Sequence, residues 1–166
     1  MQGLTRQWET PPATNPAKNL CERILEARGI TNQNDVKSFL NPTLKQLDDP
    51  SDLYGATEAA AIIAKSLRED KKILIFGDYD ADGITAATVL YHIISAATGK
   101  EGPAIFIPDR IDDGYGISPK AIEQFAKTGV DLVVSVDCGI TAVEAAARAK
   151  ELGISLIITD HHKPRE

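Results

Sequence analysis

Three short stretches of this sequence concentrate the residue types that hold divalent metal ions. Gly77-Asp78-Tyr79-Asp80-Ala81-Asp82-Gly83 carries a carboxylate at every second position, Asp137-Cys138-Gly139 adds another, and Asp160-His161-His162 joins a carboxylate to two imidazoles. Taken singly, each has an ordinary reading. An Asp just after a strand usually caps the next helix, Asp82 is suited to that task, and a His pair is often a solvated loop. Taken together they pose an electrostatic problem, because carboxylates within a few ångströms repel and some take up protons unless cations separate them. Carboxylates with an imidazole suit Mn²⁺ or Mg²⁺, and suit Zn²⁺ less well because no thiolate partner is evident. This many ligands accommodates two ions. A metal pair lowers the pKa of a bridging water and holds phosphate oxygens in line for attack, so the chemistry indicated is metal-assisted phosphoester hydrolysis.

Such a gathering needs a scaffold that brings distant segments to one edge. From residue 56 the pattern alternates helix and strand. A helix carrying Ala59, Ile62, Ile63 and Leu67 leads to a strand over Ile73–Phe76, closed by Gly77. The spacing then predicts a helix over Ala86–Ala97 with Val89, Leu90, Ile93 and Ile94 inward, and a strand over Ala104–Ile107 ended by Pro108. Ser118-Pro119 caps a helix through Ile122 and Phe125 to Gly129, and Leu132–Val136 is a third strand. Ala142–Leu152 reads as a helix and Ile154–Ile158 as a fourth strand. Strands apolar on both faces, separated by helices, indicate an α/β fold with a parallel sheet, flanking helices and right-handed crossovers. In such sheets ligands bind at the carboxyl ends of the strands, and three of the four predicted strands run directly into the three stretches above. The second ends instead in Pro108-Asp109-Arg110, with Gly114-Tyr115-Gly116 beyond.

The first 55 residues are different in kind. Pro11, Pro12 and Pro16 make the start extended; Asn15 reads as an N-cap with Pro16 in the first turn of a helix that passes Leu20, Ile24 and Leu25 and stops at Gly29. A second short helix, Asn34–Leu40, sets Val36, Phe39 and Leu40 on one side before Asn41-Pro42, and 43–55 is loop-like. So short a segment buries too little for a core of its own, and it reads as a small helical N-terminal extension, 1–55, docked on the domain of 56–166.

Composition excludes several classes. The chain has 166 residues, 43% hydrophobic and 25% charged, which fits an ordinary globular protein. It has no apolar run long enough for a membrane span and no secretory leader, so a cytoplasmic location without membrane is expected. Cys21 and Cys138 are too few and too distant for a disulfide framework. Eighteen basic against 24 acidic residues, a formal charge of −6, disfavours a nucleic-acid binder built on a broad basic face. A nucleic-acid substrate then needs metal ions for positive charge. His92 sits mid-helix and reads as a surface histidine. Cys138 reads as packing, since acidic neighbours raise its pKa. Gly77 and Gly83 match neither dinucleotide-binding nor P-loop spacing, and their loop is too acidic to cradle a bare phosphate.

ILIFGDYDADGITA, VVSVDCGIT and IITDHHKP, in that order, resemble the first three motifs of the DHH phosphoesterase superfamily. IPDRIDDGYGIS and SFLNPTLKQLDDP are similar to its RecJ branch in particular. The resemblance implies a DHH-type domain and a 5′→3′ exonuclease of repair and recombination, specific for single-stranded DNA and dependent on Mn²⁺ or Mg²⁺. It implies that Asp80 and Asp82 bind one ion each, that Asp137 bridges the pair and that His161 completes the second site. Asp78 would be a further ligand or stand just behind the ligands. His162 would contact the scissile phosphate or the attacking water, and Asp160 would orient the histidines. Arg110 would hold a substrate phosphate, against a plain salt bridge to Asp112 or Asp113. Gly114 and Gly116 would let backbone approach the strand while Tyr115 either stacks on a base or serves packing. The fourth motif, the last strands of the sheet and a second domain would lie beyond Glu166, so the chain reads as the N-terminal part of a longer enzyme, weak in metal binding and with little or no nuclease activity alone. Three rival functions remain. One is a pyrophosphatase or small-oligonucleotide phosphodiesterase of the same superfamily. Another is a haloacid-dehalogenase-type phosphatase with Asp80 as nucleophile, and the last is a non-catalytic partner-binding fragment.

Overall fold

Ile73, Leu74, Ile75 and Phe76 are apolar without alternation, and the structure buries all four, as expected of a strand covered on both faces. The computed structural model describes residues 18–109 and 116–164, which fall into two compact units meeting in sequence at Leu53/Tyr54.

In the second unit, β1 (Ile73–Gly77), β2 (Ala104–Phe106), β3 (Leu132–Val136) and β4 (Ser155–Thr159) form one parallel sheet in the order β2-β1-β3-β4. The two inner strands are buried along their whole length, whereas β2 and β4 keep exposed positions. Alternate side chains sort to opposite faces. Leu74, Phe76 and Val133 pack with Ile122, Phe125, Ala145 and Ala149 of α5 (Pro119–Lys127) and α6 (Val143–Glu151). Phe76 stacks on Phe106 with ring centroids 5.5 Å apart, and Phe125 meets both rings edge-on. On the other face Ile73 and Val134 pack on Ala59, Ile63 and Leu67 of α3 (Ala56–Arg68), and Ile75 and Val136 on Ala87 and Leu90 of α4 (Ala81–Thr98). Each large core side chain of this kind contributes about 1.5–3 kcal/mol.

The register positions the site. Gly77 is level with Val136, and Val136 with Thr159, so the chain leaves β1, β3 and β4 at one height on the carboxyl edge. The residues that follow are Asp78, Asp137 and Asp160.

Some boundaries differ from the sequence reading. Helix α4 starts at Ala81 rather than Ala86, because Asp80 caps it: its Oδ1 accepts the Gly83 N–H at 3.1 Å. The acidic segment is therefore half loop and half first helical turn, and the cap is Asp80, not Asp82. Val89 and Ile93 point outward, 58% and 59% exposed, while Ile94 is buried and Leu90 partly so. Adjacent positions lie about 100° apart on a helix, so the two pairs cannot share one face.

In the first unit, α1 (Leu20–Ala27) begins with a capping box: Asn19 Oδ1 accepts the Glu22 N–H at 2.9 Å and the Glu22 carboxylate accepts the Asn19 N–H at 3.1 Å. Asn15 and Pro16 lie outside the described residues, and the cap is four residues later than the sequence reading set it. Helix α2 (Gln33–Leu40) is capped by Asn32, and Phe39 and Leu40 on it are exposed. The stretch read as loop holds two single 3₁₀ turns, Leu44–Gln46 and Pro50–Asp52. No helix among the described residues is long and apolar enough to cross a membrane.

Candidate metal centre

The β1 exit is shaped by close backbone approach. A Cβ on Gly83 would stand 2.6 Å from both Cβ and the carbonyl oxygen of Asp78, so only glycine lets the first turn of α4 lie against that residue. Asp78 is 3% exposed and accepts the Tyr79 N–H at 2.7 Å. The cap bond from Gly83, then bonding with Asp82 and Asp137, holds the Asp80 carboxyl below the usual carboxylate range.

The β3 exit is strained. Asp137 has φ of +62°, a left-handed conformation costing a non-glycine residue on the order of 1–3 kcal/mol, though Asp tolerates it better than most. Its N–H donates to the Thr159 carbonyl at 2.8 Å. Its side chain is almost fully buried; Oδ1 lies 2.9 Å from Nε2 of His161, and the buried Oδ2 has no hydrogen-bond partner among the described residues. Burial first, and then the charges of Asp82 and Asp80, push its carboxyl up.

At the β4 exit Asp160 works with both oxygens. Oδ1 accepts the His162 backbone N–H at 3.0 Å and faces His162 Nδ1 at 2.7 Å, while Oδ2 accepts the Ile140 N–H at 2.9 Å and so ties this loop to the β3 loop. Burial works upward on its carboxyl, but the two amides and the imidazole outweigh it and hold it below the usual range. It is thus ionised near neutrality, and an ionised carboxylate only accepts, which fixes Nδ1 of His162 as the donor. The Asp160 bond in turn raises the His162 pKa. His161 and His162 have ring centroids 4.6 Å apart.

The structure therefore brings together Asp78, Asp80, Asp82, Asp137, Asp160, His161 and His162. Ligand atoms of Asp137, His161 and His162 lie within 4.8 Å of one another, as do those of Asp78, Asp80 and Asp137, so Asp137 belongs to both groups. Asp82 stands outside these two sets but 3.8 Å from His161 Nε2, on the wall of an open cleft of about 280 Å³ shared with Asp137, Thr159, Asp160 and His161. Among the described residues, the ion pairs of Asp82, Asp137 and Asp160 are all to histidine. A buried carboxylate oxygen without a donor, beside further carboxylates and an imidazole, fits a hard divalent cation. Gly116 lies near the start of α5 and borders a groove of about 430 Å³ with Gly139 and Ile140. Arg110, Gly114 and Tyr115 lie outside the described residues. Cys138 is fully buried, and burial together with the surrounding carboxylates takes its thiol up to about 12, which makes it packing rather than a nucleophile. His92 is exposed, edge-on to Tyr91.

Residues 72–166 match the DHH family, N-terminal domain. The chain belongs to the DHH family. Over 164 residues, 99% of this DHH chain and 20% of the relative, it is 36% identical to the single-stranded-DNA-specific exonuclease RecJ of Bacillus subtilis (strain 168). A crystal structure of exonuclease RecJ bound to manganese matches with a TM-score of 0.58 at 40% identity, covering 66% of this chain and 28% of that one. RecJ from Thermus thermophilus in complex with Mn²⁺ matches at 0.60 and 34% identity, covering 86% and 19%. The DHH chain thus spans between about a fifth and just over a quarter of the proteins it resembles.

Sequence reasoning missed Ser135 and Thr159. The Ser135 hydroxyl donates to the Cys138 carbonyl at 2.8 Å, and the Thr159 hydroxyl to the Ser135 carbonyl at 2.7 Å. The signal was present: Ser135 is the one polar residue in the strand Leu132–Val136.

Proposed function

We propose that this DHH chain serves metal-dependent hydrolysis of phosphodiester bonds, removing nucleotides from the 5′ end of single-stranded DNA in repair and recombination. The observation that carries the reading is Asp137, which belongs to both groups of ligand atoms and whose buried Oδ2 has no hydrogen-bond partner among the described residues. Asp80, Asp82, Asp137 and His161 would hold two Mn²⁺ or Mg²⁺ ions, with Asp78 behind them. Such ions supply positive charge to phosphate oxygens and lower the pKa of water. The protein's own groups do the rest. Asp160 fixes the His162 ring through Nδ1, which leaves Nε2 as the atom to meet the phosphate, and the raised pKa favours its protonated, donating form. Residues 1–55 would act as an extension to the catalytic part, 56–166. Gly116 and Gly114 would border the path of the strand, with Arg110 holding a phosphate and Tyr115 against a base as the resemblance implies.

Grafted in place of the matching stretch of Bacillus subtilis RecJ, the chain is expected to sustain Mn²⁺-dependent release of mononucleotides from 5′-phosphorylated single strands. Asp82→Ala and His161→Ala in the graft should abolish that release. A folded graft that prefers dinucleotides or pyrophosphate overturns the substrate; one that stays active with both substitutions overturns the site.

A further inference from the structure

We propose that Ser135 is a positioning residue, whose hydroxyl locks the strained turn that presents Asp137 to the metal ions. This rests on the reading of Asp137 as a ligand. Ser135 is 0% exposed within an otherwise apolar strand, where a hydroxyl is costly unless hydrogen-bonded. It reaches forward over the turn to the Cys138 carbonyl, closing a loop around Asp137. Its own carbonyl accepts the Thr159 hydroxyl, and the Thr159 carbonyl accepts the Asp137 N–H. Asp137 is thus held from both sides by a short cycle of bonds between β3 and the end of β4. Gly139, at φ +113°, completes the fit, since a Cβ there would come within 3.1 Å of the Ser135 hydroxyl oxygen. A left-handed non-glycine residue persists only where its surroundings over-determine it, and these bonds are what over-determine Asp137. The Ser135 hydroxyl bonds the Cys138 carbonyl and does not line the open cleft, so its action is through the backbone around Asp137.

A serine kept only for its size would tolerate alanine. The test is Mn²⁺ affinity of the whole chain, followed by electron paramagnetic resonance of the free ion, with near-ultraviolet circular dichroism confirming the fold. Ser135→Ala is expected to weaken Mn²⁺ binding roughly 10- to 100-fold, the usual range for a residue supporting a ligand, and to speed exchange of the Asp137 amide in metal-free protein. Ser135→Thr, which keeps the hydroxyl, should hold affinity within a few fold while its extra methyl lowers thermal stability. A folded Ser135→Ala with affinity within about twofold of wild type, on the scale of that same principle, overturns the proposal. Should Ser135→Ala not fold, Thr159→Val at the exposed strand end carries the test: the same direction of loss supports the proposal, and unchanged affinity ends it. Asp137→Ala separates the levels. If that variant also binds Mn²⁺ as wild type does, the metal-site reading itself has failed.

Discussion

Asp137 sits where burial and neighbouring carboxylates both oppose an ionised side chain. Its carboxyl is raised above the ordinary value by burial and by Asp82 and Asp80, so between the ordinary and the raised value the folded chain holds a proton that the unfolded chain has released. Stability of the metal-free protein therefore falls as pH rises from the ordinary carboxylate value through the raised one. Asp137→Asn removes that penalty and keeps a residue type that tolerates positive φ. It should stabilise the metal-free chain by about 0.5–2 kcal/mol in urea titrations with chelator present, while Mn²⁺ affinity drops. A variant no more stable than wild type would show that neither burial nor repulsion weighs on this site. His162 works in the same sense in a higher pH range, because here the charged form is the one favoured. Its pKa is raised by Asp160, so its stabilisation is complete below the ordinary imidazole value and disappears as pH rises through the raised one. The thermal midpoint of metal-free protein should decline as pH rises above the ordinary imidazole value, and His162→Gln should flatten that decline; an unchanged slope would assign the titration to another group. All seven of these acidic and imidazole residues were legible in the sequence, because carboxylates directly after apolar runs are conspicuous. Which of Asp80 and Asp82 caps the helix was not, since both precede the helix start at Ala86 that the spacing suggests.

Gly83 shows how an element's docking can reverse a local preference. Alanine in a helix is better than glycine by about 1 kcal/mol. Here its Cβ would meet Asp78 backbone at distances no real contact shows, and α4 would have to move off β1. Gly83→Ala is expected to destabilise by about 1–3 kcal/mol in urea denaturation, and a stabilised variant would mean the α4 turn is free to shift. The inner strands β1 and β3 could be read from unbroken apolar runs, and the capping of α5 from Ser118-Pro119. The start of α4 could not, because Asp82 and Gly83 are weak helix formers, and the helix there is set by the Asp80 cap and by contact with Asp78. Nor could the outward set of Val89 and Ile93: a helix apolar on several sides has no single stripe to point inward.

At the scale of the molecule, an acidic chain of net charge −6 gathers its densest carboxylates on one sheet edge. Cations that bind only the folded form stabilise it by mass action, so Mn²⁺ at about a hundredfold its dissociation constant should add about 2.7 kcal/mol. The thermal midpoint should rise accordingly and return with chelator, and the rise should shrink in Asp82→Ala. An equal rise in that variant would place the ions elsewhere. The α/β architecture was legible from the alternation of elements, whereas the cross-ties between the β3 and β4 loops are contacts between segments distant in sequence and leave no local pattern. The Asp80 cap also gives the centre an inherent reporter. The same carboxylate that would draw a cation accepts the Gly83 amide proton. Any ion pulling charge from that oxygen weakens its hold on the proton, so the chemical shift of one backbone amide on the buried side of α4 gives a spectroscopic gauge of occupancy without substrate or turnover.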